Sequence, residues 1–345
     1  MTTDEKYLTR CLELAKNGSG LVAPNPMVGA VIVYKDQIIG EGFHQMYGGP
    51  HAEVNAINSV KDKSLLSSST LYINLEPCAH FGKTPPCCQL VIDSKFKRVV
   101  TGVTDPNPQV SGKGLEAIRA AGIEVTENVL QKECLELNRR FFTFHTKKRP
   151  YVILKWAQTT DGFIDEDRTP GQLGSFRITS DETQVLTHTW RREEAAILVG
   201  RRTIENDDPK LTCRLVEGKS PIRLIIDREL KLDYSKYNVG DGSVETYVIT
   251  SVPGDAIGNV KRIIPANFSM RSVLKAIYAL GIQSIIIEGG KATHTHFIEG
   301  GLWDEARVLT GNAEIGSGLR APKLKGKIIE EFKSGVDRVQ MMRYA

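Results

Sequence analysis

A chain of 345 residues, 41% hydrophobic and 25% charged, has the composition of a folded globular protein and room for two domains of ordinary size. A net charge of +4 over that length excludes the basic face of a dedicated nucleic-acid binder, while local arginines can still meet small anions. No apolar run reaches the roughly 18 residues of a membrane span, and the start MTTDEKYLTR lacks an apolar signal core, so a cytoplasmic protein is expected.

The first predicted element is a helix over 4–16, where Leu8, Cys11, Leu12 and Ala15 recur at helical spacing. A valine-rich run over 28–34 reads as a strand, and Gly40 and Gly42 read as turn signals after it. Helix over 51–60, strand over 70–75, helix over 89–94 opened by Pro85-Pro86, strand over 98–103, helix over 114–121, strand over 124–126 and a last helix over 130–144 complete an α/β half. His145-Thr-Lys-Lys-Arg-Pro150 is polar, basic and ends in proline. The domains are therefore expected at 1–145 and 151–345, with 146–150 as linker.

The second half starts on a strand over 151–157, followed by a glycine- and charge-rich loop over 162–175. Asp181 is expected to cap a helix running to Glu193. Short apolar strands follow at 196–199, 222–226, 246–249 and 284–287, with helices over 268–280 and 293–299. Antiparallel strands at 308–309 and 339–342 are expected near the end. Both halves are thus α/β.

Six cysteines stand at 11, 78, 87, 88, 134 and 213, and half of them fall in one short stretch. In a cytoplasmic chain that clustering points to metal rather than disulfides. His51-Ala52-Glu53 sits at a predicted helix start, and Pro77-Cys78 and Pro86-Cys87 follow. One imidazole and two thiolates leave the fourth tetrahedral position of a zinc ion open for water, as a catalytic site requires. Helix N-termini near His51 and Cys87 favour ionised thiolates. Glu53, two residues from His51, can reach the same cavity without binding metal and carry a proton from water to a ring nitrogen and then to ammonia. Eight residues separate the two cysteines, so His80 and Cys88 are rival ligands, and Cys87 is preferred because it follows a proline at a helix start.

The second half has no G-x-G-x-x-G after its first strand, so a standard Rossmann dinucleotide site is not supported. Glu288-Gly289-Gly290 lies between a strand and a helix, where paired glycines let backbone N–H groups approach a phosphate; a simple tight turn is an equal reading. Arg191, Arg192, Arg201, Arg202 and Arg214 offer forks for phosphate oxygens, with a solvated helix face the preferred reading for Arg192 and Arg202.

PNPMVGAVIV at 24–33, GFH at 42–44, HAE at 51–53 and LEPCAHFGKTPPC at 75–87 closely resemble the deaminase half of the bifunctional riboflavin-biosynthesis deaminase–reductase family. YVILKWAQTTDGFI, RITS, LVGRRTIENDDPKLTCR, IIDREL and IIEGG resemble its reductase half, in the family's order, so the resemblance covers nearly the whole chain. It implies a cytidine-deaminase-like domain with His51, Cys78 and Cys87 on zinc and Glu53 as proton shuttle. It further implies Asn25, His44 and His80 around the pyrimidine. For the second half it implies a dihydrofolate-reductase-like fold with NADPH as hydride donor. Ser175, Arg191, Leu211, Arg214 and Glu288 would then contact substrate. Ala157, Arg177, Thr203, Asp207 and the loop from Gly289 and Gly290 would contact cofactor. Lys155 would supply charge or a proton near the reacting sugar carbon. The position before Ile178, often tryptophan in that family, is Arg177 here, and QTTDG replaces a more usual serine–leucine form.

The expected function is deamination of 2,5-diamino-6-(5-phosphoribosylamino)pyrimidin-4(3H)-one, followed by NADPH-dependent reduction of the ribosyl group to ribityl. The expected partner is a phosphorylated pyrimidine, with neither nucleic acid nor membrane, and a homo-oligomer is left open. Two other readings compete: a nucleic-acid base deaminase with an unrelated C-terminal binding domain, and a binding module with zinc as a structural clip. The near-neutral charge and the reductase-type motifs argue against the first, and Glu53 with its three-ligand set argues against the second.

Overall fold

The computed structural model describes residues 1–79, 86–107, 110–169, 172–174 and 176–344. The chain divides into two compact units, Met1–Lys147 and Lys148–Ala345. Among the described residues no helix is long and apolar enough to cross a membrane.

The first unit has a five-stranded sheet made of β1 (Gly29–Tyr34), β2 (Gln37–Phe43), β3 (Thr70–Ile73), β4 (Arg98–Thr101) and β5 (Glu124–Thr126), in the order β2-β1-β3-β4-β5. β1 runs antiparallel to β2 and β3, and β3, β4 and β5 are mutually parallel. The helices are α1 (Thr3–Lys16), α2 (Ala52–Ser59), α3 (Cys87–Asp93), α4 (Lys113–Ala120), α5 (Gln131–Leu137) and α6 (Arg139–Lys147). Side chains alternate across a strand, so β1 sends Ala30 and Ile32 to one core with Ala52, Ala56, Val91 and Leu115. It sends Val31 and Val33 to another core with Tyr7, Leu8, Cys11 and Leu12 of α1. Burial on both faces is why this strand reads as an unbroken apolar run.

Two expectations for this unit are corrected. Gly40 and Gly42 are not turns but lie within β2. A Cβ on Gly40 would stand 2.5 Å from Val60 Cγ2, and one on Gly42 would stand 2.3 Å from the Ala56 nitrogen. The glycines let α2 seat directly on the strand, which carries His51 and Glu53 to their place. The helix expected over 130–144 is two helices broken at Asn138. The Asn138 side chain is used elsewhere: Oδ1 accepts from Met27 N at 2.8 Å and Nδ2 donates to Met27 O at 2.9 Å. Asn74 holds the same segment, accepting from Gly29 N and donating to Met27 O. The two amides thus fix the backbone just after Asn25. α6 itself runs to Lys147, into the stretch read as linker.

The second unit contains β6 (Tyr151–Gln158), β7 (Phe163–Asp165), α7 (Asp181–Glu193), β8 (Ala196–Gly200), α8 (Arg201–Asp207), β9 (Ile222–Ile226), β10 (Thr246–Ile249), β11 (Ala256–Ile257), β12 (Val260–Ile263), α9 (Met270–Ala279), β13 (Ser284–Ile287), α10 (Lys291–Glu299), β14 (Glu305–Thr310), β15 (Leu319–Arg320), β16 (Lys327–Ser334) and β17 (Asp337–Arg343). Ten strands form one sheet in the order β11-β12-β10-β9-β8-β13-β6-β14-β17-β16, and β15 pairs with β7 separately. From β12 to β14 the neighbours are parallel; β11 at one end and β17 and β16 at the other are antiparallel. Val152, Leu154 and Trp156 face the core beneath α9 and α10, and Tyr151 and Ile153 face the core with Trp190 and Ile204.

Here the cap of α7 is Ser180 rather than Asp181: the Ser180 hydroxyl accepts from Thr183 N, and Asp181 is the first helical residue. Strand β7 lies inside the expected loop over 162–175. Strands β12 and β16 and helix α8 were not expected. β16, KIIEEFKS, is an exposed edge strand, so no buried face imposes an alternating pattern on its sequence.

Candidate active sites

In the first unit the site grows from two helix starts. His51 is the N-cap residue of α2, with extended backbone and no side-chain cap bond. Cys87 opens α3 after Pro86. The loop after β3 brings Cys78 between them. His51 Nδ1 lies 3.6 Å from Cys78 Sγ and 3.3 Å from Cys87 Sγ, and the Cys87 amide donates to Cys78 Sγ at 3.3 Å. The three donor atoms lie within 4.8 Å of one another, the one such His, Cys, Asp or Glu cluster among the described residues. Hydrogen bonds from Cys87 and His51 outweigh burial and pull the Cys78 thiol down to about 4. Cys87 is pushed far up, first by sharing its proton with Cys78. Two sulfurs and an imidazole holding a proton between them form a donor set that exchanges protons for a soft divalent cation. One imidazole and two thiolates fit zinc with an open fourth position.

Cys88 turns the other way, into the apolar core with Ala56, Val91 and Leu115. Cys87→Ser is therefore expected to cut zinc affinity by orders of magnitude, and Cys88→Ser to leave it within a few fold, as read by competition with a chromophoric chelator. The reverse ranking would overturn this ligand set. The other rival, His80, lies outside the described residues, as does Ser175.

Glu53, in the first turn of α2, is 3% exposed. Burial first, and the Cys78 charge second, push its carboxyl up to about 7. His44 is 2% exposed, and its ring stands edge-on to that of His51 at 5.4 Å between centroids. His44 Nδ1 lies 3.0 Å from the Pro50 carbonyl, so it carries the proton and donates; Nε2 then accepts from Asn25 Nδ2 at 3.1 Å. Burial lowers the His44 pKa and keeps the ring neutral. Asn25, His44, His51 and Glu53 thus converge at one end of the sheet.

In the second unit the charged centre is Glu288, directly after β13 and 6% exposed at its side chain. Arg191 of α7 grips it with two bonds, Nε to Oε1 at 2.7 Å and Nη2 to Oε2 at 2.8 Å. Lys155 Nζ on β6 lies 3.5 Å from Oε2. Burial alone would raise the Glu288 carboxyl, but Arg191 and Lys155 more than offset it and hold it at about 2. Burial lowers the Lys155 pKa, against the opposing pull of Glu288. Arg191 Nη1 also donates to the Thr212 carbonyl, next to buried Leu211, whose φ is +53°. Arg214 is exposed. Together with burial, the charges of Arg191 and Arg214 depress His188 to about 4, which places Arg214 near the same end of α7.

Gly289 and Gly290 make the turn into α10. A Cβ on Gly289 would meet Val199 Cβ at 2.6 Å and Thr203 Oγ1 at 2.9 Å, so this turn, Thr203 and the end of β8 form one tight group. A strand-to-helix turn with no side chain, beside a threonine hydroxyl, is a cradle that fits the phosphates of a dinucleotide. Ala157, half-buried near the end of β6, belongs to a neighbouring strand. Asp207 is engaged by Arg168, whose Nη2 lies 2.9 Å from Oδ1, and burial raises its carboxyl. Arg177 is exposed at the start of α7, paired with Asp181 and donating to the Thr179 carbonyl at 3.2 Å. Neither of these contacts involves the Glu288 cluster. Sequence reasoning missed His294, whose Nε2 faces the Lys155 and Ile287 carbonyls, and Arg168, which ties the loop after β7 to α8. Neither lies in a motif that could have flagged it.

The model of the RibD C-terminal domain matches residues 150–335, and that of the cytidine and deoxycytidylate deaminase zinc-binding region matches residues 1–103. The riboflavin biosynthesis protein RibD of Aquifex aeolicus is 42% identical over 335 residues, covering 95% of this chain and 92% of that one. The same-named protein of Bacillus amyloliquefaciens is 38% identical, covering 96% and 90%. The crystal structure of a diaminohydroxyphosphoribosylaminopyrimidine deaminase/5-amino-6-(5-phosphoribosylamino)uracil reductase from Thermotoga maritima superposes with a TM-score of 0.89 at 38% identity, covering 99% of both chains. With a deaminase-type zinc-binding region followed by a reductase-type unit, and relatives that match along almost their full length, the chain belongs to the RibD family.

Proposed function

We propose that this chain carries out two successive steps of riboflavin biosynthesis. The first unit hydrolyses the 2-amino group of 2,5-diamino-6-(5-phosphoribosylamino)pyrimidin-4(3H)-one, releasing ammonia. The second reduces the ribosyl group of that product to ribityl with NADPH. The observation that carries this reading is the three-donor cluster of His51, Cys78 and Cys87 beside a buried carboxylate, Glu53, that is not a ligand.

His51, Cys78 and Cys87 would hold zinc, which would supply a water made acidic enough, with a pKa toward about 7, to attack at neutral pH. Glu53 would move two protons in turn: the first from water to the pyrimidine ring nitrogen as the hydroxyl adds to carbon, the second from that hydroxyl to the departing amine as the carbonyl forms and the C–N bond breaks. Because Asn25 Nδ2 donates to His44 Nε2, the Asn25 carbonyl oxygen is the atom of that amide that would accept from a ring N–H or amine of the substrate. In the second unit the Gly289–Gly290 turn would hold the phosphates of NADPH, which would supply the hydride. The sugar would open as its ring oxygen takes a proton from Lys155, and the hydride would go to the first carbon. Glu288, fixed by Arg191, orients the sugar hydroxyls, and Arg214 offers a fork for the phosphate.

The test is ammonia release from the phosphoribosylated diaminopyrimidinone, with and without NADPH. Release without NADPH, then NADPH oxidation on its addition, is the expected result. Ammonia with no later NADPH oxidation would remove the reductase half of the proposal. No ammonia from zinc-loaded protein would remove the deaminase half.

A further inference from the structure

We propose that Glu76 is a positioning residue for the deaminase metal centre: its buried carboxylate clamps the start of α4 onto Pro77 and so sets the Cys78 sulfur against His51 and Cys87. The proposal deepens the deaminase reading above and rests on it.

Glu76 is 3% exposed and sits two residues before Cys78. Its own amide donates to the Val103 carbonyl at 2.9 Å, which anchors it past the end of β4. Its carboxylate accepts four backbone N–H groups: Asp105 at 3.1 Å and Gly112 at 2.9 Å on Oε2, Gly114 at 3.0 Å and Leu115 at 3.4 Å on Oε1. The last two belong to the first turn of α4, where helical amides have no intrahelical partner. Gly112, the N-cap of α4, has φ +82° and no side chain to cap with. Glu76 thus caps α4 from a distant strand end, where a negative charge is favoured.

The clamp is close. A Cβ on Gly114 would stand 2.2 Å from the Pro77 carbonyl oxygen and 3.2 Å from Glu76 Oε1, so α4 lies directly on the peptide that leads into Cys78. On its other side Cys78 is held by α3, its carbonyl accepting from Cys88 N at 3.1 Å and its sulfur from Cys87 N at 3.3 Å. Cys78 therefore stands between two helix starts, and Glu76 ties down the one that carries no ligand. Outer groups that orient a ligand typically change metal affinity by about 10–100-fold when altered.

The test uses the full chain with three readouts: zinc affinity by chelator competition, hydrogen exchange by segment, and NADPH oxidation with the deaminated intermediate. In Glu76→Gln one oxygen becomes an NH2 that cannot accept, so one of the two amide pairs, Asp105 with Gly112 or Gly114 with Leu115, loses its partner and the negative charge at the helix start is lost. The expected result is zinc affinity lower by about 10–100-fold, lost protection confined to 105–115, and an unchanged reductase rate. Gly114→Ala, which presses on Pro77 with Glu76 intact, is expected to weaken zinc in the same direction. Zinc affinity within twofold of the unmodified protein in both variants would overturn the proposal. So would loss of protection spreading through β1 and β3, which would make Glu76 a residue of general stability. If unmodified protein binds zinc but releases no ammonia, the deaminase reading fails, while the zinc comparison still decides the role of Glu76.

Discussion

Replacing Glu53 with glutamine is expected to lower kcat/KM for ammonia release by about 10³-fold, within the usual range for a positioned acid–base group, while zinc stays bound. The expectation follows from where the side chain stands. Glu53 lies two residues after His51 in α2 and is outside the ligand cluster, so its loss leaves all three donor atoms in place. Burial has already pushed its carboxyl up to about 7, so a neutral amide of the same volume meets no new penalty in that interior. What disappears is the group that accepts a proton and returns it. Reduction of the deaminated intermediate, carried by the other unit, is expected to continue at its normal rate. Ammonia release reduced less than tenfold, with zinc retained, would exclude Glu53 as the shuttle. Loss of zinc would make it part of the metal site instead.

Glu288→Gln is expected to have the largest effect on the second unit. Glu288 is nearly enclosed and neutralises two partly buried cations, Arg191 and Lys155. Removing its charge leaves those cations facing each other, and breaking such a buried pair costs about 3–5 kcal/mol. The cost has a defined pH dependence. The folded-state carboxyl is held at about 2, below its ordinary value of 4.5. Its contribution is therefore fully present above the unfolded value and is lost as pH falls toward the folded one. The stability gap between the two proteins, read by denaturant unfolding of the second unit, should be constant above about pH 5.5 and shrink toward pH 2. The reductase rate should fall about 10²-fold or more, because Arg191 and Lys155 lose the group that sets their positions. An unchanged unfolding midpoint at pH 7 would show that the three charges do not act as one centre.

Much of the fold was legible because the central strands are buried on both faces. The run 196–199 is wholly apolar for that reason, 222–226 and 284–287 are interrupted only by the buried polar residues Arg223 and Ser284, and each stands in the sheet at or within one residue of its expected bounds. Where burial does not impose a pattern, the reading failed. The exposed edge strand β16 went unseen, and the two glycines of β2 looked like turns because close approach of a helix and a tight turn ask for the same residue. The break at Asn138 was invisible, since its partner, the backbone of Met27, lies 111 residues away in sequence.

By itself the sequence determined the class of both halves and the chemistry of the first, because a histidine, a glutamate and proline-led cysteines at helix starts are local signals. The sequence already favoured Cys87 over Cys88 from the proline at a helix start, and the structure shows the two adjacent side chains diverging, Cys87 toward the His51 imidazole and Cys88 into the core. Tertiary structure alone decided that Glu288 is shared by Arg191 and Lys155, 97 and 133 residues distant, and that Glu76 caps a helix from a strand end. A buried charge must find its counter-charge or its amides in space, and nothing in the spacing along the chain records where those partners will be.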